Sequence, residues 1–261
     1  MSEPVVVVNN IHKSFGSLRV LNGISLSVSA GETLVILGRS GTGKSVLLKT
    51  IIALLDPDKG DVTVYGHNLH QLNERARLSA RAGIGYVFQG SALFDSLTVL
   101  ENVGFAMYQQ RRPMAEIREE VLKRLDMVGL ADAVDKVPSE LSGGMQKRVG
   151  LARAIIGEPK LILYDEPTTG LDPLTTDVIN RIILRLRRKL GVTSIVVTHD
   201  IKSAYTIADR IIMLEQGVIV AEGTPDHIQK SNNVWVQNFI TGRSSDLDNS
   251  GSRSSIPAIR D

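Results

Sequence analysis

The chain has 261 residues, of which 43% are hydrophobic, 22% charged and 4% aromatic, and its formal net charge is +2. This is the balance of an ordinary globular protein, with chain for roughly one to two domains and a sizeable core. So slight a basic bias, without clustered Lys and Arg interleaved with aromatics, argues against a nucleic-acid partner, and the absence of cysteine excludes disulfides and Cys-ligated zinc or iron–sulfur sites. No apolar run approaches the roughly 18 residues needed to span a bilayer. MSEPVVVVNN has neither the basic start nor the long apolar stretch of an export signal, so a cytoplasmic protein is expected, with any membrane role supplied by a partner.

Residues 5–8 and the alternating 21–28 predict strands, separated by a polar turn region at 12–16. The apolar run 34–37 predicts a buried strand, and 45–55 has the length and apolar density of a packed helix. Between them Gly38, Arg39, Ser40, Gly41, Thr42, Gly43, Lys44 and Ser45 fit G-x-x-x-x-G-K-[ST], the loop that wraps nucleotide phosphates between a strand and a helix. Backbone N–H groups at such a helix start face an anion with the helix dipole behind them, and Gly41 and Gly43 let the chain approach it closely. Lys44 is placed to reach the β- and γ-phosphates of the nucleotide, and the Ser45 hydroxyl to hold Mg²⁺.

A turn cluster at 56–61 and a short strand at 62–65 follow, so an antiparallel β portion brackets the phosphate loop. Residues 69–82 have polar helical spacing, and 84–88 return to strand character, ending at Gln89. From 91 to 140 the pattern is helical, at 99–108 and 114–128 with Gly129 as a stop, which suggests an inserted subdomain. Ser142, Gly143 and Gly144 precede a helical run at 147–157 and make a second anion-binding corner; alone they also read as an ordinary N-cap. That corner cannot easily serve the phosphates bound by the Lys44 loop, so it points to a partner's nucleotide.

The run 161–164 ends in Asp165 and Glu166, as expected of a buried strand delivering carboxylates to its C-terminal edge. Asp165 is placed to hold Mg²⁺ and Glu166 to polarise the attacking water; alone, two acids before Pro167 also describe a strand entering a turn. Residues 177–190 predict a crossover helix and 194–198 a parallel strand ending at His199. The basic run 181–189 reads as a solvated helix face, or less directly as a contact for acidic lipid. A hairpin at 211–221, one helix over 225–240 carrying the packing pair Trp235 and Phe239, and a Ser-rich flexible tail at 241–261 complete the chain. His12, His67, His70 and His227 have no ligand-like spacing.

The order and intervals of GRSGTGKS, Gln89, LSGGM, LILYDEP, Gly170-Leu171-Asp172 and His199 resemble the ATP-binding subunit of an ABC transporter over about residues 5–239. The resemblance implies an α/β fold: a RecA-like P-loop NTPase core with an antiparallel β subdomain and an α-helical signature subdomain. It implies an ATP-binding domain over 1–240, with the helical part at about 91–157. Two copies would then face head to tail and sandwich two ATP molecules with Mg²⁺, each between the Gly38–Ser45 loop of one subunit and Ser142, Gly143 and Gly144 of the other. Phe15 matches the aromatic that stacks on adenine, Gln89 the residue that approaches Mg²⁺ and the water, Asp172 the acid of the dimer interface, and His199 the histidine that contacts the γ-phosphate. Read without the resemblance, Phe15 is core or turn packing and His199 a strand-end histidine.

Met145 stands where the signature usually ends in glutamine, and Gly170 where many relatives have serine or alanine. With Arg39, Thr42 and the run from Pro167 to Pro173, this resembles the ATPases of Mla-type phospholipid transport systems. That implies a permease, a periplasmic MCE lipid-binding protein and a small STAS-domain protein as partners, at the cytoplasmic face of an inner membrane. ATPases importing amino acids or other small solutes share the main motifs. Soluble relatives in DNA repair or translation fit less well, since the chain has neither a long heptad insertion nor a second Gly-Lys-Ser loop.

Overall fold

The computed structural model describes residues 4–243. Strands β1 (Pro4–Phe15) and β2 (Leu18–Ser29) form a long hairpin. β1 runs straight through the expected turn region, because His12 pairs with Asn22, Lys13 with Leu21 and Phe15 with Leu18. Polar side chains hid a strand whose backbone is satisfied across the ladder. β3 (Thr33–Leu37) is wholly buried and leads through the phosphate loop into α1 (Lys44–Ile51). That helix ends before the expected residue 55, because Ala53 adopts φ +53° and the amides of Leu54 and Leu55 fold back onto the Lys49 carbonyl.

β4 (Lys59–Val64) and β5 (His67–Asn68) complete an antiparallel sheet in the order β2-β1-β4-β5. The expected helix over 69–82 divides into a single 3₁₀ turn at Leu69–Gln71 and α2 (Glu74–Arg81), because the Asn68 and Asn73 side chains each cap a separate start. After β6 (Ile84–Val87) come α3 (Val99–Gln109), α4 (Met114–Met127) and α5 (Gly143–Ala154), with Gly129 at φ +69° just past the end of α4. The chain continues through β7 (Leu161–Asp165), α6 (Pro173–Leu190), β8 (Thr193–Thr198), α7 (Ile201–Ile207), β9 (Arg210–Glu215) and β10 (Val218–Gly223). The single helix expected over 225–240 is two, α8 (Pro225–Gln229) and α9 (Val234–Thr241), capped by Thr224 and Asn233. Most of the expected tail, 244–261, lies outside the described residues.

The second sheet runs β10-β9-β3-β8-β7-β6, parallel except for the β10 hairpin edge. Alternate residues of one strand face different cores: Val35 and Leu37 join the core built on α3–α7, with α7 against β3, while Leu34 and Ile36 join the core shared with α1 and the antiparallel sheet. The C-terminal ends of β3, β6, β7 and β8 therefore share one edge, where an open α/β sheet binds its ligands.

The second half of the connection between β6 and α3 is organised by the buried side chain of Asn102. Asn102 accepts from the Phe94 amide (2.8 Å) and donates to the carbonyls of Phe94, Leu97 and Thr98 (3.0–3.1 Å). The Phe94 and Thr98 carbonyls also accept from the amides of Leu97 (3.1 Å) and Asn102 (2.8 Å), so Asn102→Leu takes the side-chain partner from the Phe94 amide and the Leu97 carbonyl and is expected to destabilise the fold by about 1–3 kcal/mol, read as a lowered midpoint in urea denaturation with an unchanged slope.

Candidate functional site

The phosphate loop is shaped by close packing. Gly43, the left-handed N-cap of α1 at φ +98°, has no room for a Cβ, which would lie 2.9 Å from the Val20 carbonyl oxygen. The buried Lys44 Nζ donates to the carbonyls of Gly38 (2.9 Å) and Arg39 (3.0 Å) and lies 3.3 Å from Glu166 Oε1.

At the end of β7, two strands from β3, Ser45 Oγ donates to Asp165 Oδ1 (2.6 Å) and the Tyr86 hydroxyl to Oδ2 (3.1 Å). Burial, reinforced by the Asp165 charge, pushes the Tyr86 hydroxyl well above its ordinary pKa, so it stays a donor. Glu166 adopts the left-handed region at φ +49°, and its amide donates to the Val197 carbonyl (3.0 Å). A non-glycine residue held there is the kind of backbone outlier found at functional sites. Its Oε2 accepts from Thr169 Oγ1 (3.0 Å) and lies 2.8 Å from His199 Nδ1.

Phe15, Val20, Ser40, Gly41, Gly43, Lys44, Ser45, Val46, Gln89 and Glu166 line one cavity of about 380 Å³. His199 borders a neighbouring cavity of about 430 Å³ with residues 168–171 and joins the first through Glu166. Gly38, Arg39 and Thr42 belong to the loop itself: Thr42 Oγ1 donates to the Arg39 carbonyl (2.9 Å). Ser142, Gly143, Gly144 and Asp172 are not among the lining of the Lys44 cavity. Ser142 caps α5 through the Met145 amide (3.3 Å), and Asp172 caps α6 through the amides of Leu174 and Thr175. The Thr175 hydroxyl, bonded to Asp172, holds that carboxyl below its usual range. The serine–glycine corner and the Asp172 cap meet where Gly144 packs on Thr175.

The paired Ser45 hydroxyl and Asp165 carboxylate, with the Gln89 amide on the same cavity, form a hard oxygen donor set that fits Mg²⁺ shared with phosphates and water. No group of three His, Cys, Asp or Glu side chains able to hold a metal occurs among the described residues. Sequence reasoning missed Tyr86, Thr169 and Lys147. Lys147 Nζ donates to the Gln89 carbonyl; burial lowers its pKa, and Glu166 and Asp165 oppose the shift. A residue filling an exposed-looking slot of a predicted helix carries no signal of such burial.

A phosphate loop opening a helix at the edge of a parallel sheet, with an acid pair on the next strand but one, defines a P-loop ATPase. The family model described as ABC transporter matches residues 21–169. Among relatives, the probable ribonucleotide transport ATP-binding protein Mkl of Mycobacterium tuberculosis is 38% identical over 239 residues, covering 91% of this chain and 67% of its own length. The methionine import ATP-binding protein MetN of Brucella abortus is 40% identical over 222 residues, 85% of this chain and 60% of that protein. CbiO1 of Clostridium perfringens, described as part of the ABC transporter complex CbiONQ, superposes with a TM-score of 0.81 at 29% identity, over 91% of this chain and 95% of its own. MJ0796, in a dimeric post-hydrolysis state with ADP and Pi, gives 0.77 at 35%, over 84% and 98%. The chain belongs to the ABC transporter family and is an ATP-hydrolysing member of it.

A Cβ at Gly144 would lie 2.5 Å from Thr175 Cγ2. Gly144→Ala is therefore expected to push Thr175 off Asp172 and cost about 1–3 kcal/mol, measured as a lower thermal midpoint that Thr175→Ser partly restores.

Proposed function

We propose that this chain powers phospholipid transport between inner and outer membranes, maintaining outer-membrane lipid asymmetry, from the cytoplasmic face of the inner membrane. The observation that carries its ATPase core is Glu166, bound at once by the phosphate-loop lysine, Thr169 and His199. The phospholipid cargo is supported by the Mla-type run Pro167 to Pro173 with Gly170, together with Arg39 and Thr42. No helix among the described residues is long and apolar enough to cross a membrane, so the cargo path belongs to partners. These are a permease, an MCE lipid-binding protein and a STAS-domain protein.

In this reading residues 1–240 are one ATP-binding domain whose 91–157 part carries the signature corner, while Thr241, expected to open the tail, instead closes α9. Phe15 stacks on adenine. Lys44 exchanges the carbonyls of Gly38 and Arg39 for the β- and γ-phosphate oxygens. Ser45, Asp165 and Gln89 would hold Mg²⁺, which would supply neutralisation of the phosphate charge. Glu166 orients the attacking water and accepts its proton; His199 steadies Glu166 and contacts the γ-phosphate. A second copy faces the first head to tail and closes Ser142, Gly143 and Gly144 over the nucleotide, with Asp172 at the dimer interface. The dimeric, nucleotide-bound state of the MJ0796 cassette, similar over 84% of this chain, supports a dimer. A second reading, import of an amino acid or other small solute, is favoured by the likeness to MetN.

Lys44→Ala is expected to abolish ATP binding and turnover in an equilibrium binding and phosphate-release assay. Glu166→Gln is expected to keep ATP binding but lose about 10²-fold or more in kcat and to elute as a dimer with ATP. Affinity purification of the tagged chain from detergent-solubilised membranes, followed by mass spectrometry, tests the cargo. A permease and MCE protein with bound phospholipid supports the lipid reading, and a permease with a solute-binding protein overturns it in favour of import.

A further inference from the structure

We propose that Lys147 and Arg153 on α5 form a clasp on the loop 89–92, making them positioning residues that tie the helix of the signature corner to Gln89 within one chain. The inference rests on the reading of Gln89 as part of the ATP site. Three carbonyls within four residues are gripped by these two cations. Lys147 Nζ donates to Gln89 O, while the Arg153 guanidinium donates to Ser91 O and Ala92 O, each at 2.6 Å. The same guanidinium lies 5.9 Å from the centroid of the Phe88 ring. Lys147, Gly150 and Arg153 recur at a spacing of three, one face of the helix, and Gly150 lies against Ser91 between the two cations.

The gripped backbone is an unusual one. Ser91 (φ +62°) and Ala92 (φ +47°) are consecutive non-glycine residues in the left-handed region. L-residues visit that region singly and at a cost, and hold it only where surrounding contacts over-determine it. The Ser91 amide closes a turn onto the Phe88 carbonyl (3.1 Å), and the hydrogen bonds from α5 hold the carbonyls of the same two residues. Gln89, one step before this segment, owes its place on the nucleotide cavity to a residue anchored on the signature helix. A shift of α5 against the sheet therefore moves Gln89 directly, with no membrane partner required.

The test is hydrogen exchange and steady-state kinetics on the full chain. Lys147→Met keeps helix propensity and bulk but removes the donor. It is expected to speed exchange in the peptide spanning 88–93 about tenfold and to lower kcat about tenfold, with the affinity for a non-hydrolysable ATP analogue within about twofold of the parent. Lys147→Arg is expected to restore both readouts, and Arg153→Gln to speed exchange in the same peptide. Parent-like exchange in Lys147→Met and Arg153→Gln overturns the clasp, as does faster exchange with parent kcat or a loss of affinity equal to the loss of kcat. Should Lys147→Met not fold, Arg153→Gln decides alone by the same exchange readout. Turnover that survives Lys44→Ala would instead overturn the ATP-site reading and leave the exchange result standing.

Discussion

A lysine buried at a sheet edge must be fully hydrogen-bonded or matched by a counter-charge, because transfer of an unpaired ammonium out of water costs several kcal/mol. Lys44 meets that demand with two carbonyls of its own loop and the carboxylate of Glu166. The pair links the first turn of α1 to the end of β7, and the second oxygen of Glu166 carries the link on to His199 at the end of β8. Three separate strand ends are thereby locked into one polar cluster, and the left-handed backbone of Glu166 is held by it.

That cluster needs a rigid base, which the two cores supply. The parallel strands β3, β7 and β8 are buried on both faces, so each contributes side chains to two hydrophobic layers. The antiparallel sheet is tied on by more than apolar packing. Arg210 on β9 bonds Glu32, Glu222 on β10 and the Ser27 carbonyl of β2, which joins the sheets near their rim. Its neighbour Asp209 accepts from the Thr33 amide and from Arg187 of α6.

The helical block is attached differently. It meets the sheet through apolar contacts and a few directed bonds from α5 to backbone carbonyls of the loop after β6, together with the Gly144 and Thr175 contact to α6. Val99, Val103, Ile117 and Val121 of the block belong to the same hydrophobic core as Ile162, Tyr164 and Ile179, and Arg185 of α6 donates to the Met127 carbonyl at the end of α4 (3.2 Å). Ser142 and Asp172 are each engaged as helix caps in the single chain, so their outward surfaces are positioned by local structure rather than by the Lys44 cavity.

Local chemistry made the order of motifs, the parallel strands and the phosphate loop readable from sequence, because a glycine-rich turn, an apolar run and a terminal acid each carry their own periodicity or backbone requirement. Element ends were less legible. Residues 12–14 were polar yet strand, and 69–82 and 225–240 broke where the asparagine caps Asn73 and Asn233 intervened. Tertiary structure alone decided that Tyr86 steadies Asp165, that Thr169 and His199 share one oxygen of Glu166, and that Lys147 lies buried against the loop of Gln89. Those relations depend on which strand ends and which helix face meet across the fold, at separations for which a linear pattern has no period.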